Sequence, residues 1–156
     1  MASKSMFNDA QVAAKALGVT LQLVEVKVPN PDFDGAFRVM VKEHIGALIT
    51  GSGPLISISL HRKRILELVE QNRLPAIHPA PQWVDDGGLM YYGANVFELF
   101  RRVPIYVDKI LKGAKPADLP VEQPMKFEFI INLKAAKQIG LTIPPEVLAR
   151  ANRLIK

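Results

Sequence analysis

The stretch Lys126-Phe-Glu-Phe-Ile-Ile-Asn-Leu-Lys-Ala-Ala-Lys-Gln-Ile-Gly-Leu-Thr-Ile-Pro-Pro145 decides how this chain is read. Phe127 to Ile131 has the aromatic and β-branched content of a short strand. Asn132 turns the chain, Leu133 to Ile139 follows as a short helix, and Gly140 stops it. The Pro144-Pro145 pair then starts a last amphipathic helix. A strand running straight into a helix is the repeating unit of an α/β protein.

Upstream, the same alternation recurs. Asn8 to Leu17 reads as a helix with Phe7, Val12 or Ala13, Ala16 and Leu17 on one face, ended by Gly18. Val19 to Val28 reads as a strand, closed by Pro29-Asn-Pro31. Asp32 caps a helix whose inward face is Phe33, Phe37, Met40 and Val41, at helical spacing. Ile45 to Thr50 is a nearly all-apolar strand of the kind buried in a parallel sheet. Gly51-Ser-Gly-Pro54 leads into a long helix from about Leu55 to Gln71, with Ile58, Ile65, Leu68 and Val69 inward. Leu74 to His78 is the next strand. The order predicts an α/β fold with a parallel sheet.

The middle is less regular. Gln82 to Asp86 suits one helical turn, Gly87-Gly88 ends it, and Leu89 to Tyr92 is a strand closed by Gly93. Asn95 caps a helix whose apolar face is Val96, Leu99, Phe100, Val103, Val107 and Ile110. Pro104 inside it predicts a kink. Gly113 stops the helix, and Lys115 to Pro120 is a proline-punctuated crossing.

The 156 residues suffice for one compact domain. An apolar fraction of 49% with 22% charged residues belongs to a globular chain. The net charge of +5 is spread out, and its densest run, His61-Arg-Lys-Arg64, has no interleaved aromatics. No nucleic-acid partner is expected. The absence of cysteine excludes disulfides, thiolate metal sites and a cysteine nucleophile. No apolar run has transmembrane length, and Met1 to Met6 has no signal-peptide core.

Ligands of open parallel sheets bind beyond the carboxyl ends of the strands. Three segments qualify. Gly51, Ser52 and Gly53 offer backbone N–H groups and a hydroxyl to an anion, or simply form a tight turn. Gln82 and Trp83 offer an amide and a flat wall, although Trp83 reads equally as a buried anchor. Tyr92 and Asn95 follow the third strand; Tyr92, nearer its end than Tyr91, is the preferred contact. Catalytic patterns are missing. His44, His61 and His78 lack metal-ligand spacing and read as structural or solvated, and Asp85-Asp86 is a polar turn. Ser57 and Ser59 lack a nucleophile elbow, and Lys134 and Lys137 read as solvated. Neither enzyme activity, a cofactor nor a metal is expected.

Longer stretches carry a family resemblance. They are Phe33-Asp-Gly-Ala-Phe37 with Gly46-Ala-Leu-Ile49, Arg62-Lys-Arg-Ile-Leu-Glu-Leu68 with Arg73-Leu-Pro-Ala-Ile77, and Gly87-Gly-Leu-Met90 with Tyr92-Gly93. The run from Tyr106 through Gly-Ala-Lys-Pro-Ala-Asp-Leu-Pro120 to Pro124 and the run from Phe127 to Pro144 complete them. The chain resembles the substrate-binding proteins of ABC transporters in the tryptophan/tyrosine-uptake-like family, of the type I periplasmic binding fold, and specifically their C-terminal half only. The resemblance implies a three-layer parallel-sheet lobe that is incomplete, with a crossover segment belonging to the other lobe. Residues 1–78 and 120–156 would form the C-terminal lobe, and residues 79–119 would cross the hinge onto the N-terminal lobe. The opening elements of the first lobe and the first strand of the second would be absent. The chain departs from the family at Tyr91, where serine is common, and at Pro104, where a small helical residue is expected.

By the resemblance, a small polar or aromatic carboxylate-bearing solute would sit between two lobes. Gly51, Ser52 and Gly53 would line one side, and Gln82, Tyr92 and Asn95 would complete the site. An ABC permease would be the partner of the full-length protein, in the periplasm or on a lipid anchor outside the cytoplasm. The chain alone would expose apolar surface and a sheet edge and form a homodimer. The competing expectation is a self-associating module without solute binding.

Overall fold

A computed structural model describes residues 2–27, 29–53 and 58–156. The expected helix start at Leu55, the strand end at Val28 and Ser57 lie outside the described residues. A first helix, α1 (Ala2–Ala16), ends at Gly18 in the left-handed region. Helix α2 (Phe33–Lys42) starts where Asp32 Oδ1 accepts the Gly35 N–H at 2.7 Å. It buries Phe33, Phe37 and Met40, but Val41 faces solvent. Strand β1 (Leu48–Ile49), helix α3 (Ser59–Gln71) and strand β2 (Ala76–His78) follow, then the single turn α4 (Pro81–Asp85) and strand β3 (Met90–Ala94).

Helix α5 (Val96–Leu111) is capped by Asn95, whose Oδ1 accepts the Glu98 N–H at 3.1 Å. Pro104 sits inside it, and the helix continues as one element from Val96 to Leu111. A 3-10 turn at Pro116–Asp118 leads to β4 (Phe127–Asn132), helix α6 (Leu133–Gln138), the short α7 (Pro145–Leu148) and β5 (Arg153–Ile155).

The five strands form one sheet in chain order. β1, β2 and β3 are parallel, as the alternation predicts, whereas β3 and β4 are antiparallel and β4 and β5 parallel. The sheet is therefore mixed rather than wholly parallel. The cause is the path after β3. Residues 96–126 return the chain to the end where β3 finished, with the Asn95 N–H bonded to Lys126 O at 2.9 Å. β4 must then run backwards along β3.

Two further expectations are corrected. Residues 19–27 form no strand, although Val24 and Val26 pack against the core. A strand needs a ladder partner, and among the described residues the sheet ends at β1. The last helix is only one turn, and the chain then enters β5. Asn152 brings it there: its N–H donates to Phe129 O at 2.8 Å, and its Oδ1 accepts the Phe129 N–H at 2.7 Å.

Helices α2 to α4 cover one sheet face, where Ile65, Leu68, Val69, Ala76, Trp83, Val84, Tyr91 and Ile130 are buried. On the other face α6 brings Ala135 and Ala136 against Leu89. Asn132 joins the two sides, capping α6 through the Ala135 N–H at 3.0 Å and donating to Val84 O at 3.4 Å. Helix α5 belongs to neither layer, and none of its residues is buried.

Candidate functional site

Because β1, β2 and β3 run parallel, their carboxyl ends share one edge of the sheet. Gly51 and Ser52 are exposed just past β1, Gln82 is exposed in α4 just past β2, and Tyr92 is exposed in β3. The register places His78 beside Tyr91, so Tyr92 lies one residue beyond the end of β2. Gly51, Ser52, Gly53, Gln82 and Tyr92 thus all belong to this edge. Asn95 is carried further out. The antiparallel ladder continues to Ala94 opposite Phe127, so β3 and β4 leave the sheet as a two-stranded ribbon with Asn95 at its tip.

The ribbon has its own side-chain order. Tyr92 stacks on Phe127 at 5.8 Å between ring centroids and meets Phe129 edge-on at 6.0 Å. Tyr91 points to the opposite face, into the core, and its hydroxyl donates to Ala94 O at 3.0 Å. The ring lies over Gly93, where a Cβ would come within 2.6 Å of the Tyr91 oxygen. Burial raises the Tyr91 pKa, with Glu128 adding to the effect.

Trp83 resolves as the anchor rather than a ligand wall. It is 2% exposed and stacks on His78 at 4.8 Å. His78 is the residue that sequence reasoning undervalued. It is equally buried, and burial lowers its pKa to about 4, so it is neutral at pH 7. Its Nδ1 lies 2.8 Å from Thr50 Oγ1, at the foot of the 51–53 segment. The signal in the sequence was modest: a histidine closing an apolar strand, followed by tryptophan and a glycine pair.

A groove of about 620 Å³ lies elsewhere, between α5 and the returning segment 116–126. Its walls are mostly apolar, including Leu99, Val103, Tyr106, Leu119 and Met125, and Asn95 is the only expected site residue on it. Asn95 already uses its carbonyl oxygen as a helix cap. The rim is polar: Lys126 and Arg101 contact Glu98, Arg102 pairs with Glu122, and the Tyr106 hydroxyl donates to Pro120 O. The hydrogen bond from Lys126 holds the Glu98 carboxyl below its ordinary pKa.

Among the described residues no group of three or more His, Asp or Glu side chains could hold a metal ion. Among them no helix is long and apolar enough to cross a membrane.

Three solved structures are similar to this chain. A conserved domain protein from Vibrio cholerae superposes with a TM-score of 0.82 at 23% identity, covering 97% of this chain and 50% of that one. An ABC domain from Streptococcus pneumoniae in complex with L-Trp gives 0.83 at 26% identity, covering 98% and 50%. A ligand-free, open substrate-binding protein with adhesive properties from Clostridium difficile gives 0.73 at 20% identity, covering 100% and 50%. The chain spans about half the length of these structures and shares their periplasmic-binding-protein-like α/β fold. No curated protein matches it. The sequence model of the ABC transporter substrate binding protein family matches residues 2–155. That match runs over nearly the whole chain, and it corrects the reading of the chain as the C-terminal half only of a two-lobed protein. The family is a binding component of transporters and not an enzyme. This chain belongs to the ABC transporter substrate-binding protein family.

Proposed function

We propose that the chain serves as the solute-binding component of an ABC importer. The solute is a small polar or aromatic molecule bearing a carboxylate. The observation that supports this reading is the common edge at the carboxyl ends of three parallel strands, beside which the segments holding Gly51, Ser52, Gly53, Gln82 and Tyr92 follow. Amides and the hydroxyl of 51–53 suit a carboxylate, and the exposed Tyr92 ring offers an apolar wall. The likeness to a structure holding L-Trp supports the same solute class.

In this proposal residues 1–78 and 120–156 act as one lobe and residues 79–119 carry the chain across a hinge to a second; residues 79–94 still belong to the sheet of the first, and the chain leaves it beyond Ala94. The two-stranded ribbon is the crossing. The solute is held between the lobes, with Asn95 on the far side, and closure is a shift toward the state that binds it better. The partner is an ABC permease, and the setting is outside the cytoplasm. Calorimetric titration with L-tryptophan, followed by other amino acids and aromatic acids, tests the reading. Saturable binding that Tyr92→Ala weakens at least about tenfold supports it. Absence of binding across the whole panel removes it.

A second reading is favoured by α5. Phe97 is 79% exposed and Leu111 82%, and the helix buries nothing. Such a face suits a homodimer without solute binding. Native mass spectrometry separates the two, since it reports assembly size and any retained small molecule together.

A further inference from the structure

Thr50 is the last residue before Gly51, and its side chain is doubly engaged. Its Oγ1 lies 3.0 Å from Ile77 O and 2.8 Å from His78 Nδ1. A carbonyl can only accept, so the hydroxyl proton goes to Ile77, and the Nδ1–H of His78 donates to the hydroxyl oxygen. The other ring nitrogen, Nε2, is then the bare one. It is buried and, among the described residues, has no hydrogen-bond partner.

The ring is held tightly in that arrangement. One side stacks on Trp83, with the planes 15° apart. Another side faces Gly88, where a Cβ would come within 2.6 Å of His78 Cδ2 and 2.9 Å of Nε2. A buried acceptor without a donor is unfavourable, and an apolar side chain would fill the slot without that penalty. The imidazole is therefore explained by Nδ1, whose partner is Thr50. Beyond Thr50, Gly51 and Gly53 have no side chain to set the path of the chain. The Thr50 N–H also bonds Ile77 O at 3.0 Å, so backbone and hydroxyl both tie Thr50 to β2 just before the loop.

We propose that His78 is a positioning residue: through the Thr50 hydroxyl it sets the direction in which Gly51-Ser52-Gly53 leaves the sheet. The proposal gives these residues a role in holding solute only insofar as the solute-binding reading stands. Its test is independent of any solute. Amide hydrogen exchange of Gly51, Ser52 and Gly53 is followed by NMR in the parent chain and in Thr50→Val, Thr50→Ser, His78→Leu and His78→Asn.

The loop is expected to exchange at least about tenfold faster in Thr50→Val and His78→Leu, the effect of one lost hydrogen bond. It should stay near the parent rate in Thr50→Ser and His78→Asn, which keep a hydroxyl and an N–H donor. Amides of β2 and β3 should be unaffected, and nitrogen chemical shifts should show His78 as the Nδ1–H tautomer. An unprotected loop in the parent chain overturns the proposal. So does an Nε2–H tautomer, or equal acceleration of loop and core amides. If L-tryptophan fails to bind while the exchange pattern appears, the positioning role stands and the solute-binding reading falls.

Discussion

At the scale of single residues, the His78 pocket governs behaviour in acid. The folded chain holds its imidazole near a pKa of about 4 through burial, against an ordinary value of 6.5. Between those values the unfolded chain binds more protons, so stability rises with pH across the window. The full contribution is present above about pH 6.5 and is lost as pH falls toward 4. Its size is on the order of 3 kcal/mol. Urea unfolding at stepped pH should show this slope in the parent chain and a flatter one in His78→Asn. Gly88 is the complementary position. A methyl group there would meet the His78 ring and come within 2.7 Å of Trp83 O. Gly88→Ala should lower the unfolding free energy by about 1–3 kcal/mol, as overpacking does, with an unchanged urea m-value.

At the scale of elements, helix ends are where the chain carries local strain. After α2 and α3 the turning residues are His44 and Arg73, both with positive φ, at 53° and 49°. Each sits where glycine is usual. The next amide closes the helix, from Ile45 to Met40 O and from Leu74 to Val69 O, both at 3.0 Å. A left-handed conformation costs a residue with a Cβ roughly 1–2 kcal/mol, and the extra freedom of unfolded glycine recovers part of it. Arg73→Gly should therefore stabilise by about 0.5–1 kcal/mol. Thermal unfolding would register this as a raised midpoint, and a lowered midpoint would show that the arginine contributes something else there. The cap at Asn132 tests the opposite sign. It is buried and joins α6 to α4, so Asn132→Ala should destabilise by about 2 kcal/mol in the same measurement.

For the whole molecule, the question is what covers α5. Its apolar arc runs from Leu99 and Val103, on the groove, round to Phe97, Phe100 and Leu111 in solvent. Light scattering across a dilution series should show concentration-dependent association in the parent chain. Phe97→Glu combined with Phe100→Glu should shift it to monomer, leaving far-UV dichroism intact. A parent chain that stays monomeric at high concentration would remove the homodimer reading.

The elements themselves were largely legible in the residues, because helix caps and apolar spacing act over a few positions. Asp32, Asn95 and Asn132 announced three helix starts, and Phe33, Phe37 and Met40 a buried face. The exposed candidates Gly51, Ser52 and Gln82 were legible as ends of apolar strands. Local pattern could not show that residues 19–27 lack a ladder partner, that β4 runs against β3, or that Arg153–Ile155 forms a strand seeded by Asn152. Pairing joins residues far apart in sequence, and the same extended backbone serves either direction. The roles of Trp83 and His78 were settled the same way. A tryptophan beside a strand end suits a ligand wall or a core equally well, and a histidine there reads as structural or solvated, until Thr50 and Gly88 are found packed against the His78 ring. What the sequence alone determined was the α/β alternation and its punctuation, set by short-range sterics and hydrogen bonding. What only the tertiary structure decided was strand direction, the edge shared by the carboxyl ends of the parallel strands, and the buried contact behind the loop, since these depend on which distant surfaces exclude water together.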